Sequence, residues 1–210
     1  SKYLKELSEI VEKTDVGFFK LNKKYFKHFK EGVAMDWEDG KPAIDSLFTN
    51  YWEKLFWKSR NKGDTLEQFH IDLATSVQRF TEDIIFHILT NLHERTGLDN
   101  ICITGGVAQN SVANGKILPN TPFKNMYVPS AGHDAGTSIG SALYLYNHIL
   151  DMERMPEIKT AYLGRQSTEE EIISCLEHEG VKYEKVDDDT LFLKVSDKLL
   201  NGGVVGWFQG

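Results

Sequence analysis

The chain has 210 residues, of which 24 are basic and 31 acidic, giving a formal charge of −7 at pH 7. That balance argues against broad nucleic-acid binding, which needs a positive surface to displace counterions from phosphates. At 40% hydrophobic and 11% aromatic residues the chain can fill a core, and no apolar run approaches the roughly 18 residues of a membrane span.

The chain opens on Ser1 and runs directly into a helical pattern of Leu4, Leu7, Ile10 and Val11. It closes on an apolar stretch, Val204 to Phe208, that reads as a strand. Frayed polar ends are the norm, so the sequence reads as a segment of a longer protein. Over the first 60 residues, lysines 20, 23, 24, 27 and 30 alternate with Phe18, Phe19, Tyr25, Phe26 and Phe29. The interleaving could stack single-stranded bases; the preferred reading is a half-buried segment whose lysine heads stay in water.

From Asp64 the pattern sharpens. Asp64 is expected to cap a helix, with Glu67 reaching back. Apolar residues recur at Leu66, Phe69, Leu73, Val77, Phe80, Ile84, Ile88 and Leu92, the stripe of a helix of about eight turns ending near Gly97. Two strand–turn–helix units follow. The first is strand Ile101–Thr104, turn Gly105-Gly106 and helix Val107–Ile117; the second is strand Met126–Val128, loop Pro129–Asp134 and helix Gly136–Leu150. Beyond Pro156 the sequence predicts a capping box in Ser167-Thr168-Glu169-Glu170, a helix to about His178, a strand over 181–185, a helix over 190–200 and the terminal strand. A domain boundary is expected within 157–163, dividing the chain into 1–156 and 157–210. Cys102 and Cys175 lie in strand-like and helix-like stretches and form neither a disulfide framework nor a C-x-x-C pair. With no signal peptide, the expected location is the cytoplasm.

Two segments could carry chemistry. In Thr104-Gly105-Gly106-Val107-Ala108-Gln109-Asn110 a strand delivers two glycines to a helix start, where N–H groups face outward and an anion can approach the backbone. Asn110, one turn into that helix, could donate to a phosphate or ribose and accept from an adenine amine. The spacing matches neither the P-loop nor the dinucleotide-binding turn, and tight turns at strand ends are commoner than phosphate sites. In Pro129 to Gly140 the loop also holds His133 and Asp134. Asp134 could be a helix cap or a metal ligand. The seven histidines include no pair four residues apart, so any metal needs ligands from elsewhere.

Together, Phe69 to Arg79, the I-T-G-G-V-A-Q-N-S-V-A-N run from Ile103, Pro129 to Tyr144, Tyr162-Leu163-Gly164 and Gly206-Trp207-Phe208-Gln209-Gly210 resemble the O-carbamoyltransferase family of antibiotic and nodulation-factor biosynthesis. The resemblance implies an α/β fold. Residues 1–156 would be the C-terminal portion of an actin-like ATPase (ribonuclease H-like) domain, akin to the threonylcarbamoyltransferases. Residues 157–210 would begin a YrdC-like, adenylate-forming domain.

It also implies a reaction: carbamoyl phosphate and ATP give carbamoyl-adenylate, whose carbamoyl group passes to a hydroxyl of a small molecule, often a sugar. By position, Gly105, Gly106, Gln109, Asn110 and Gly136 correspond to the nucleotide site. Asp134 corresponds to one ligand of a divalent metal, typically Fe2+, whose two histidine ligands are expected upstream of Ser1. His133 has no assigned role, and a homodimer is compatible with the family. With those histidines and most of the YrdC-like domain absent, residues 1–210 alone are expected to be inactive. The competing expectations are an actin-like sugar kinase and a non-catalytic, ATP-dependent interaction module.

Overall fold

The computed structural model describes all residues except Ser1, Ala34, Asp45, Lys58 and Gly210, and for Met35 and Ile44 the backbone alone. It divides into two compact units, Ser1–Glu153 and Arg154–Gly210.

The first unit opens with α1 (Leu4–Ile10), whose Leu7 and Ile10 are buried. An antiparallel hairpin of β1 (Val11–Lys13) and β2 (Phe19–Leu21) follows. Next come the single-turn α2 (His28–Glu31), a second hairpin of β3 (Met35–Glu38) and β4 (Lys41–Ile44), and α3 (Tyr51–Leu55). Tyr25 is buried among Leu7 and Ile10, with Phe26, Trp52, Phe56 and Phe80 packed around it. The lysines behave as expected of long amphipathic side chains: Lys23 sits over the Phe29 ring and Lys24 over Tyr25 and Tyr51, charged heads outward. Phe18, Phe19 and Phe29, however, are more exposed than a half-buried segment requires.

The long helix is α4 (Gln68–Thr96), and it ends at Gly97 as predicted. Its start differs. Glu67 caps it, accepting from the His70 N–H, while the Glu67 N–H donates to His70 Nδ1. Asp64, the expected cap, instead accepts from the Asn61 N–H within the preceding turn. The apolar stripe is only partly the buried face, because α4 packs on two sides. Phe80 meets the aromatic cluster, and Ile85, Phe86 and Leu89 meet a second core of Ile117 and Phe123. Val77 and Leu92 stay exposed, whereas Glu82 is buried.

The second core belongs to β5 (Asn100–Cys102), α5 (Ser111–Asn120) and β6 (Asn125–Tyr127). β5 and β6 pair in parallel, Ile101 opposite Met126, which requires a crossover connection, here α5. The predicted helix over 107–117 resolves into a 3-10 turn, Gly106–Gln109, followed by α5. α6 (Gly136–Tyr144) follows β6 and continues as a π-helical turn, Leu145–Ile149, rather than as one α-helix to Leu150. Cys102 and Cys175 are both exposed thiols.

In the second unit, α7 (Glu169–His178) is capped by Thr168 with Glu171, one residue beyond the box expected from Ser167. α8 (Asp188–Leu200) is capped by Asp187. Neither 181–185 nor 204–208 forms a strand, because neither finds a ladder partner among the described residues. Ion pairs Arg165–Glu171 and Lys185–Glu169, and stacking of Phe192 on Trp207, tie this unit together; none of its described residues is buried. No helix among the described residues is long and apolar enough to cross a membrane.

Candidate functional site

Parallel strands aim their following loops at the same edge of the sheet, the usual location of ligand crevices in α/β folds. β5 and β6 do this directly. The Ile103 N–H donates to the Tyr127 carbonyl, extending the pairing. One residue beyond, the loops themselves join: the Gly132 carbonyl accepts from the Gly105 N–H at 2.6 Å and from Thr104 Oγ1 at 2.7 Å. The Gly-Gly turn and the Pro129–Asp134 loop are therefore neighbours.

Two glycines are needed for this closure. Gly105 has φ +101°, a region that L side chains rarely adopt. At Gly136 an added Cβ would lie 2.0 Å from the Ala131 carbonyl oxygen, so only a bare backbone lets the start of α6 fold this tightly over its own loop. The Gly105 N–H is committed to Gly132, leaving the exposed Gly106 and Val107 N–H groups without partners among the described residues. Gln109 ends the 3-10 turn with its side-chain nitrogen against Gly132, 2.9 Å from where a Cβ would stand.

Asn110 differs from expectation. It is the N-cap of α5 rather than a residue one turn inside a helix, its Oδ1 accepting from the Ala113 N–H at 3.0 Å. Its amide also pairs reciprocally with Gln78 of α4: Nδ2 donates to Gln78 Oε1 at 2.9 Å, and Gln78 Nε2 donates to Oδ1 at 3.1 Å. One Nδ2 proton remains available to a ligand. Gln78 continues the chain of bonds, donating to Glu82 Oε1 at 2.9 Å, and Lys116 Nζ reaches both Glu82 oxygens at 2.7 and 2.9 Å. The Lys116 and Gln78 hydrogen bonds hold the Glu82 carboxyl below the usual carboxylate range, against the opposing effect of burial. This network joins α4 to the start of α5 and fixes Asn110. Sequence reading missed it; the available signal was a Gln–Glu pair four apart on α4, whose partner lies 34 residues downstream.

Asp134 is exposed and does not cap α6 with its side chain: the residue before α6 is Ala135, and Asp134 contributes its carbonyl, which accepts from the Thr137 N–H and Oγ1. Its carboxylate makes no hydrogen bond among the described residues. His133 Nδ1 accepts from the Ala135 N–H, which directs the ring along its own turn. Among the described residues no three His, Cys, Asp or Glu side chains gather as a metal site. Asp134 is thus a single available oxygen ligand rather than a metal centre.

The family described as Carbamoyltransferase N-terminus matches residues 2–143. An uncharacterized Synechocystis protein is 38% identical over 92% of the chain. The nodulation proteins NolNO of Sinorhizobium fredii and NolO of Bradyrhizobium diazoefficiens are 33% and 34% identical, each over 72% of it. The chain spans 31%, 22% and 28% of the lengths of these three relatives, respectively. The match runs through both strand-end loops and the helix that braces them, and the chain belongs to the carbamoyltransferase family.

Proposed function

We propose that residues 1–156 form part of the actin-like, carbamoyl-transferring domain of a carbamoyltransferase, and that 157–210 lead into its adenylate-forming domain. The reaction passes the carbamoyl group of carbamoyl-adenylate, made from carbamoyl phosphate and ATP, to a small-molecule hydroxyl. In the transfer step the hydroxyl oxygen bonds to the carbamoyl carbon and the bond from that carbon to the phosphate oxygen breaks. AMP leaves with the electron pair, and the hydroxyl proton is released to solvent.

The observation that carries this reading is the joining of the two strand-end loops at the Gly132 carbonyl. The Gly106 and Val107 N–H groups serve as donors to the adenylate phosphate or the developing carbamoyl oxyanion, held in place before charge appears. Gln109 and the free Nδ2 proton of Asn110 border the nucleotide. Gly136 lets the positive end of α6 approach the same phosphate.

A divalent metal such as iron(II), whose Lewis acidity would polarise the carbamoyl oxygen, would take Asp134 as one ligand and its others from outside residues 1–210. The test is product analysis with the full-length protein, ATP and a hydroxyl acceptor, with and without carbamoyl phosphate. A carbamoylated acceptor formed only when carbamoyl phosphate is present supports the proposal; a phosphorylated acceptor formed without it would identify a kinase instead.

A further inference from the structure

Asn110 stands where the 3-10 turn after the two glycines meets α5, its backbone N–H donating to the Val107 carbonyl. Which way its side-chain amide points is decided from α4. An amide's oxygen and nitrogen are told apart by the partners they meet, and both ends of this chain of bonds are unambiguous. At one end the Ala113 N–H, which can only donate, faces Asn110 Oδ1 at 3.0 Å. At the other the Lys116 ammonium, also a donor only, reaches both Glu82 oxygens, so each of those oxygens is an acceptor. Gln78 fits between them in one orientation: Nε2 donates to Glu82 Oε1 and to Asn110 Oδ1, while Oε1 accepts from Asn110 Nδ2. Turning either amide over would set oxygen against oxygen and nitrogen against nitrogen.

Asn110 is left one-sided. Its Oδ1 already takes two donors, the capacity of its lone pairs, and its Nδ2 keeps one proton free. We infer that Gln78 is a positioning residue of the nucleotide site, holding Asn110 as a one-way donor. A bound nucleotide must then meet Asn110 with an acceptor atom and not with the adenine 6-amine. The inference rests on the nucleotide site proposed above.

The character of the brace supports this role. Glu82 is 1% exposed, and a buried ion pair is costly to desolvate, so an apolar pair would join α4 to α5 equally well. What apolar side chains lack is direction. A buried acceptor, kept so by Lys116, makes Gln78 turn its nitrogen toward Glu82 and its oxygen toward the Asn110 nitrogen. The influence of Gln78 on a ligand therefore passes through Asn110.

The test is calorimetric binding of AMP, and of purine riboside 5′-monophosphate, which lacks only the 6-amine, to the full-length protein. The variants are Gln78→Met, which keeps the side-chain length, Asn110→Ser, which keeps a hydroxyl to cap α5 but no amide, and the two combined. In Gln78→Met, Glu82 retains Lys116 and Asn110 retains Ala113, so Tm should fall by only a few degrees. AMP should bind Gln78→Met roughly fivefold more weakly than wild type, the scale of one hydrogen bond. Adding Gln78→Met to Asn110→Ser should change the affinity by less than about twofold. In each variant the loss should be the same for both nucleotides, so Asn110→Ser alone also tests the donor direction. Equal losses from Gln78→Met in both backgrounds, no loss in either, or a loss that vanishes for the ligand without the amine overturns the inference while leaving the nucleotide site standing. Wild-type protein that binds neither nucleotide overturns the nucleotide site itself, and this inference with it.

Discussion

Replacing Lys116 by Met removes an ammonium group and keeps most of its aliphatic stem, which isolates the charge. Glu82 is 1% exposed and takes both of its close cationic contacts from Lys116. In the variant its carboxylate keeps only the Gln78 donor. Breaking a fully buried ion pair costs about 3–5 kcal/mol, whereas exposed pairs contribute at most about 1 kcal/mol. The Lys116 side chain is 45% exposed, so we expect a loss of about 2 kcal/mol, or roughly 4–8 °C in Tm for a domain of this size.

The loss has a definite pH dependence. The folded-state pKa of Glu82 is lowered, so the pair's contribution is present above the unfolded value and disappears as pH falls through the folded one. Thermal and urea unfolding at pH 7 and pH 3 measure both effects. The difference between wild type and Lys116→Met should be large at pH 7 and shrink at pH 3. Combining Lys116→Met with Glu82→Gln should recover part of the loss. An unchanged Tm at pH 7, or the same deficit at both pH values, would refute the reasoning.

Gly136→Ala should destabilise by about 1–3 kcal/mol through collision with the Ala131 carbonyl, the range for overpacking; Gly140→Ala, with open space around it, should be neutral or slightly stabilising in the same unfolding assay. Asn110→Ala removes the α5 cap and the Gln78 pairing, and should cost about 1–2 kcal/mol as well as weakening nucleotide binding, read by calorimetry on the full-length protein. Asp187 is held below its usual range mainly by the Thr190 N–H. Its capping of α8 should therefore weaken as pH falls through that lowered value, seen by NMR as loss of helical shifts over 188–200, while persistence of those shifts in acid would contradict the cap.

Periodicity made α4 legible because a helix of 29 residues repeats its pattern many times. It could not show that α4 serves two cores, so Val77, a member of the expected apolar stripe, is exposed, and Glu82, off the stripe, is buried. The Gly-Gly turn and the His133-Asp134 loop were readable as strand-end loops, but their meeting at Gly132 depends on the β5–β6 register. Asn110 was misplaced because the 3-10 turn over 106–109 ends the first rotation of the chain and lets α5 begin afresh. The strands expected over 181–185 and 204–208 failed for another reason: apolar and β-branched residues favour extension, but a strand exists only with a partner.

The central claim is that the loops after β5 and β6 make one nucleotide site. Backbone NMR of the chain during titration with AMP tests it most directly. The account predicts that the amides of Gly106 and Val107 shift together with those of Gly132 to Gly136, along one binding curve. Shifts confined to a single loop, or absent from both at saturating nucleotide, would contradict it.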